Sequence, residues 1–186
     1  MATLFVDKLD PQSGTSLEIG SSGDTITIPS GATITNNGTQ NGFGIDGPSF
    51  RAYQSSSQNI DTGTNTQVTL DTEDWDTDNA FSSSTFTVPS GKAGKYIVVG
   101  AVRADPSWAA TNQFNVSIFR NGASNTGGFS SNNIMASTGN SMISAAIINL
   151  SVGDTLKLYI YHNEGGTEGL QSGQESTYFC GSRIGT

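Results

Sequence analysis

The chain has 186 residues, 34% of them hydrophobic and only 13% charged, with a formal net charge of −8. Gly, Ser, Thr and Asn are abundant, which suits short strands joined by turns, and no window carries a sustained helical period of apolar residues. The acidic balance, with Lys8, Arg51, Lys92, Lys95, Arg103, Arg120, Lys157 and Arg183 scattered along the chain, excludes a clustered phosphate-binding surface and so argues against nucleic acid as a partner.

No apolar run is long enough to span a bilayer, so membrane insertion is not expected. Residues 1–10 lack the basic and apolar regions of a secretory signal. Cys180 is the single cysteine. An intrachain disulfide is therefore impossible, which fits folding in a reducing cytoplasm. Its strand-like surroundings read it as a small buried apolar group.

Residues 2–10 (ATLFVDKLD) hold a short apolar alternation, Leu4 and Val6 on one side and Phe5 on the other. A terminal strand this short needs a partner in cis or on another chain. Residues 13–39 (SGTSLEIGSSGDTITIPSGATITNNGT) carry apolar pairs: Leu17 with Ile19, Ile26 with Ile28, and Ala32 with Ile34. Each pair is a narrow ridge with almost no volume, and such ridges become stable when three copies wind together and bury one another. The β-branched alternation is not the composition of a flexible linker. Residues 36–47 (NNGTQNGFGIDG) form a Gly/Asn-rich hinge. The expected organisation is a docking strand at 1–12, a β-rich stalk at 13–47 and a compact head at 48–186.

Within the head, residues 49–54 and 66–70 alternate as strands. Residues 71–78 (DTEDWDTD) crowd five carboxylates around Trp75. Asp74, Asp76 and Asp78 occupy positions 1, 3 and 5 of a calcium loop, but Asn79 and Thr85 stand where Gly and Glu would be needed. That disfavours an EF-hand and leaves a non-standard structural calcium site as an alternative. The plainer expectation is a solvated acidic loop anchored by Trp75 and Phe81, with no cofactor.

Residues 84–103 (STFTVPSGKAGKYIVVGAVR) read as strand, turn, strand. Tyr96, Val98, Gly100 and Val102 share one face; Ile97, Val99 and Ala101 share the other. Both faces are apolar, so burial on both sides is expected, and in a two-layer sandwich the second burial must come from another subunit. Trp108 lies in a loop and is expected on display. Residues 114–118 are a half-buried strand. Residues 123–140 read as a long polar surface loop tied down by Phe129 and Met135, of the kind that carries recognition. Residues 141–150 and 155–161 are strands, the second turning Leu156, Leu158 and Ile160 inward and Tyr159 and Tyr161 outward. That tyrosine ladder is either an interface or a ligand platform. His162 is expected at a loop edge, and residues 176–184 close the fold.

Residues 48–186 resemble the C1q/TNF-like jelly roll. The resemblance is carried by FTVPSGKAGKYIVV, FNVSIFRNG, IINLSVGDTLKLYI and YFCGSRI, in that order. It implies a sandwich of about ten antiparallel strands that trimerises about a three-fold axis. It places Phe50, Tyr53, Tyr96, Val98, Tyr159, Tyr161 and Phe179 at the trimer interface. Residues 1–47 hold no collagen tract, which sets the chain apart from the animal complement members. Residues 2–39, "DTITIPSGATI" above all, resemble the attachment and stalk segments of virion fibre proteins of tailed bacteriophages, marine ones in particular.

Together the resemblances imply a structural virion protein displayed on the particle exterior. In the first reading it is a trimeric fibre or adhesin. Leu4, Phe5 and Val6 dock to a phage tail or capsid protein, and Leu17, Ile19, Ile26, Ile28 and Ile34 form the stalk. The head binds a host surface glycan or protein, with Trp75, Trp108 and Phe129 as contact candidates. In the second it is a capsid decoration or head-fibre protein. A polysaccharide-degrading tailspike is the third alternative. It is opposed by the lack of a nucleophile elbow, of an HExxH motif and of any histidine besides His162.

Overall fold

A computed structural model describes residues 6–38, 47–106, 108, 113–133 and 140–185, with the backbone alone described for 124–133. The chain divides into two compact units, Met1–Asn41 and Gly42–Thr186.

The described part of the first unit contains no strand. It is built from extended segments and two tight turns. Asp24 N–H donates to the Ser21 carbonyl (2.9 Å) and Ala32 N–H to the Pro29 carbonyl (3.1 Å). The third residue of each turn is a glycine at positive φ, Gly23 at 93° and Gly31 at 87°, the backbone that a type II turn requires and that glycine adopts without strain. Each turn is followed by the same run: Gly23, Thr25, Ile26 and Thr27 recur eight residues later as Gly31, Thr33, Ile34 and Thr35. Leu17, Ile19, Ile26, Ile28 and Ile34 are all exposed. A β-rich stalk was expected here. One chain offers its extended segments no ladder partner, so they form no sheet by themselves.

The second unit is all-β, with thirteen strands among the described residues. In chain order these are β1 (Ser49–Tyr53), β2 (Asn59–Asp61), β3 (Thr66–Gln67), β4 (Thr72–Asp76), β5 (Phe81–Ser82), β6 (Thr85–Thr87), β7 (Gly94–Arg103), β8 (Gln113–Arg120), β9 (Ala123–Asn133), β10 (Ser141–Leu150), β11 (Thr155–His162), β12 (Thr167–Gly169) and β13 (Tyr178–Gly185). A front sheet runs β10-β7-β13-β1-β4 and a back sheet β5-β6-β11-β8-β9, with β3 paired to β11 and β12 paired to β2. Every strand pair is antiparallel. The two main paths thus hold the expected ten strands, and the short β2, β3 and β12 are additional.

Strict alternation makes the core. β11 buries Leu156, Leu158, Ile160 and His162 and turns Lys157, Tyr159 and Tyr161 out; β1 buries Phe50 and Ala52. Phe50 is the aromatic centre. Its ring stacks on Phe81 (5.1 Å between centroids) and Phe86 (4.6 Å), and meets Phe179 edge-on at 5.1 Å. Phe86 also packs on Tyr96, whose hydroxyl donates to the Lys92 carbonyl at 2.6 Å and ties β7 to the turn before it. Gly100 sets how closely the sheets approach, because a Cβ there would lie 2.2 Å from Leu158 Cδ1.

Several expectations are corrected by this packing. Residues 123–140 were expected as a loop; Ala123–Asn133 is instead an edge strand laddered to β8. The acidic segment is likewise a strand at the far edge of the front sheet. Phe81 is buried there, whereas Trp75 stands 48% exposed at the sheet edge. Trp108, expected on display, is 3% exposed. Its indole Nε1–H donates to the Gly169 carbonyl at 2.7 Å, and its ring packs on Phe114 and His162. His162, expected at a loop edge, is fully buried. Its Nε2 lies 2.9 Å from the Ile60 carbonyl and its Nδ1 accepts from Glu164 N–H, which fixes the tautomer with the proton on Nε2.

Candidate functional site

The front sheet turns one face to the core and the other to solvent, and the register shows what the outer face displays. In one rung Ile147, Ile97, Ser182 and Ser49 stand side by side; in the next, Ala145, Val99, Cys180, Arg51 and Trp75. A third carries Ile143, Ala101, Tyr178 and Tyr53. Trp75, Ile97, Ile143 and Ile147 are all strongly exposed, and Ile147 is the most open at 66%. A concavity of about 480 Å³ opens between Trp75, Ile97, Val99 and Cys180. An apolar surface that crosses five strands is unusual for a domain that stays alone.

One charged group interrupts it. The Arg51 guanidinium pairs with Asp74, donates through Nη2 to the Gln174 carbonyl at 2.6 Å, and lies 4.9 Å from the centre of the Tyr178 ring. Gln174 Nε2 in turn donates to the other Asp74 oxygen at 2.7 Å. Arg51 is thus held inside the face rather than projecting from it. Cys180 is half-buried beside it; burial pushes its thiol up, with Arg51 opposing. The thiol is therefore not primed as a nucleophile.

The residues expected at an interface fall into two groups. Phe50, Tyr96, Val98 and Phe179 fill the chain's own interior and present no surface to a neighbour. They have the wrong parity: it is their strand neighbours, Ile97 and Val99 above all, that point outward. Tyr53 does lie on the outer front face, whereas Tyr159 and Tyr161 lie on the outer face of the opposite sheet. No single face carries all three tyrosines.

The outer back face has a different character. Tyr159 stacks on Phe119 with 4.0 Å between centroids and 17° between planes. Tyr161 stands opposite Asn115, Tyr159 opposite Ser117, and Lys157 opposite Phe119. The register of β9 sets Phe129 beside Ser117 and Ser131 beside Asn115; the Phe129 side chain lies outside the described residues. Asn115 Oδ1 is buried and has no hydrogen-bond partner among the described residues.

The remaining candidates are separate from both faces. Asp76 accepts from Phe81 N–H at 2.7 Å and Asp78 from the Thr77 hydroxyl at 3.1 Å, while Asp74 is taken up by Arg51 and Gln174. Each carboxylate serves its own donors. Among the described residues no group of His, Cys, Asp and Glu side chains gathers to hold a metal ion, so Asp74, Asp76 and Asp78 do not converge as the calcium alternative requires. Of the docking residues, Leu4 and Phe5 lie outside the described residues, and Val6 is exposed.

No family model matches the chain, and no curated protein matches it. Solved structures do. Murine APRIL is similar over 75% of this chain and all of its own, at 15% identity and a TM-score of 0.56. The Eiger TNF of S. frugiperda covers 74% of this chain and 92% of its own, at 10% identity and a TM-score of 0.53. The vertex protein P5 of PRD1 covers 74% of this chain and 96% of its own, at 14% identity and a TM-score of 0.52. At these identities the likeness is one of fold, and the head is a TNF/C1q-like jelly roll.

Proposed function

We propose that this chain is the subunit of a trimeric virion appendage of a tailed phage, with a host-binding head and an N-terminal segment that docks to the particle. The observation that carries the reading is the outer front face. Trp75, Ile97, Ile143 and Ile147 stand exposed around an apolar concavity on one sheet of a TNF-type jelly roll. Burying an aliphatic or aromatic side chain stabilises by about 1.5–3 kcal/mol relative to full exposure, so a few such residues supply a substantial drive to associate. A face that meets a different surface on the next copy forms a ring where the rotation closes, and the fold resemblance supports a ring of three.

The first unit supports the same symmetry. Its eight-residue repeat presents open ladder edges and exposed isoleucines, which two further copies would pair and cover. Residues 1–12 then reach the particle. The PRD1 structure, a vertex protein on the same fold, fits an external virion position. Adhesion would work through three linked heads, whose weak individual contacts multiply. The role assigned is binding, with no catalysis and no cofactor.

Capsid decoration is the second reading, supported by the likeness in fold to a vertex protein. Labelling purified particles for this protein tests both. A few copies at the tail support the fibre, and hundreds over the head support decoration. Absence from the particle contradicts the proposal.

A further inference from the structure

We infer that the front face carries both halves of the contact between heads: the β10 edge of one copy, through Ile143 and Ile147, seats in the concavity between Trp75 and Cys180 of the next. The inference rests on the trimeric reading above and gives that association its two surfaces.

A head-to-tail ring needs two different surfaces on each subunit, one that projects and one that receives. Among the described residues of the second unit, the large apolar side chains that stand exposed are Trp75, Ile97, Ile143, Ile147, Val152 and Ile184. Trp75 and Ile97 line the concavity, so they belong to the receiving surface. Val152 stands alone in the turn between β10 and β11, and Ile184 alone near the end of β13. Ile143 and Ile147 remain. They lie on the same outer side of β10 with Ala145, a small residue, between them. Ile147 projects furthest, at 66% exposed. β10 ends the front sheet on one side, and β4, which carries Trp75, ends it on the other. One sheet thus holds a projecting edge and a receiving hollow side by side.

The hollow suits an aliphatic edge. No charged side chain lines it. Arg51, at its border, is already paired with Asp74 and bonded to the Gln174 carbonyl. Covering the face therefore leaves no charge unpaired, which is the costly case. The area fits a protein partner. The five strands of the front sheet run 10, 10, 8, 5 and 5 residues. At about 3.4 Å per residue and about 4.8 Å between strands they make a face of roughly 600 Å² before side-chain relief is counted. A standard interface buries about 800 Å² on each partner. In a ring each copy also buries its β10 edge against its other neighbour, and the two contacts together exceed what the face offers alone.

Cys180 lines the hollow and makes the seat testable. Within one chain β7 separates β10 from β13. A thiol at position 143 or 147 is then about 10 Å or more from Cys180, beyond the roughly 7 Å between Cα atoms that a disulfide spans. A disulfide between them therefore joins two copies. Ile147→Cys and Ile143→Cys are each made in the full chain and treated with oxidised glutathione, which takes up the two electrons and two protons released as the S–S bond forms. The expected product, from at least one of the two variants, is a covalent trimer on a non-reducing denaturing gel. It should be lost when Cys180→Ser is added and absent from Lys157→Cys, on the outer face of the back sheet.

Light scattering before oxidation establishes that each variant keeps the parent's mass. Where one does not, the other variant and a measurement on the parent carry the test. Trp108 is buried in the core, so emission that iodide quenches comes from Trp75. The seat shields Trp75 in the parent, and Ile147→Asp should expose it. A parent of trimeric mass that yields no covalent oligomer from either variant, or whose tryptophan emission iodide reaches, overturns the seat and leaves the trimer standing. A covalent dimer as the largest product once free thiols are exhausted places two faces about a two-fold axis and overturns it as well. A parent of single-chain mass removes the trimeric reading itself.

Discussion

Ile147 of β10 stands directly opposite Ile97 of β7, and both side chains leave the sandwich for solvent although they sit in its longest ladder. If they are the centre of a subunit interface, a charge at either position should separate the copies without unfolding them. Ile147→Asp and Ile97→Asp are expected to sediment as single chains. Each should change the stability of the separated head by no more than about 0.5 kcal/mol, the range of ordinary surface substitutions. Sedimentation velocity and urea melts check both parts.

The two tryptophans should behave in opposite ways. Trp108 is packed in the core with its indole bonded to Gly169, so Trp108→Ala is expected to cost about 3–5 kcal/mol. Trp75→Ala, made in an Ile147→Asp background so that association is already absent, should cost less than about 0.5 kcal/mol. Denaturant unfolding of the two variants distinguishes them.

The strands with strong alternation were legible in the sequence. Residues 155–161 read as a strand because apolar and polar residues alternate, and residues 141–150 read as a strand with small residues; the structure places β11 and β10 there. The parity of β11 also held a signal for His162, the next inward position after Leu156, Leu158 and Ile160. What the sequence hid has physical causes. β9 is mostly Ser, Asn and Gly and has no apolar period; it is a strand because β8 offers it an edge. β4 is acidic because one of its carboxylates is bound by Arg51 from the next strand, a long-range pairing invisible in a loop-like run. The doubly apolar residues 96–102 announced two burials, but two apolar faces of one strand do not reveal which one the chain itself covers. The chain covers Tyr96 and Val98 and leaves Ile97 outside, the reverse of the assignment that family resemblance suggested. The expectation that Tyr53, Tyr159 and Tyr161 share one interface likewise failed at the level of sheet membership, which is set by strand order and not by local pattern.

Sheet spacing gives a further expectation. Gly100→Ala puts a methyl group where Leu158 Cδ1 already is, and Leu158 is fully buried. The sheets must part or Leu158 must leave its rotamer, an overpacking cost of about 1–3 kcal/mol. A paired Gly100→Ala, Leu158→Ala variant should recover none of the cavity energy but should relieve the clash. Its loss in a urea melt should be smaller than the sum of the two single losses.

Acid stability should report on the hairpin turns. Asp154 binds Arg120 Nη2 at 2.6 Å, Asn121 Nδ2 at 2.7 Å and Ser151 N–H at 2.7 Å, joining the β8–β9 turn to the β10–β11 turn. Burial pushes its carboxyl up, but the hydrogen bonds from Asn121, Ser151 and Arg120, with the charge of Arg120, together hold it below the ordinary 3.8. A carboxylate whose folded value is lowered takes up protons more readily when unfolded. Its contribution is therefore complete above pH about 4 and is lost as pH falls through the folded value. Asp154→Asn should lower stability at neutral pH and flatten the decline below pH 4. Thermal midpoints from pH 7 to pH 2 for parent and variant would show it.

Removing residues 1–44 should leave a folded head, because the core of the second unit draws on residues from Phe50 onward. Its thermal midpoint should match that of the same head in the full chain within a few degrees. Particles grown with the shortened protein should lack it; incorporation of the truncated head would contradict a docking role for the N-terminal segment.

Association of the heads is the central requirement for a trimeric appendage. Light scattering of the intact chain at micromolar concentration measures it. The expected mass is three times the 19.4 kDa of one chain, and a mass of 19.4 kDa, with the isoleucine face exposed and unpartnered in solution, would contradict it.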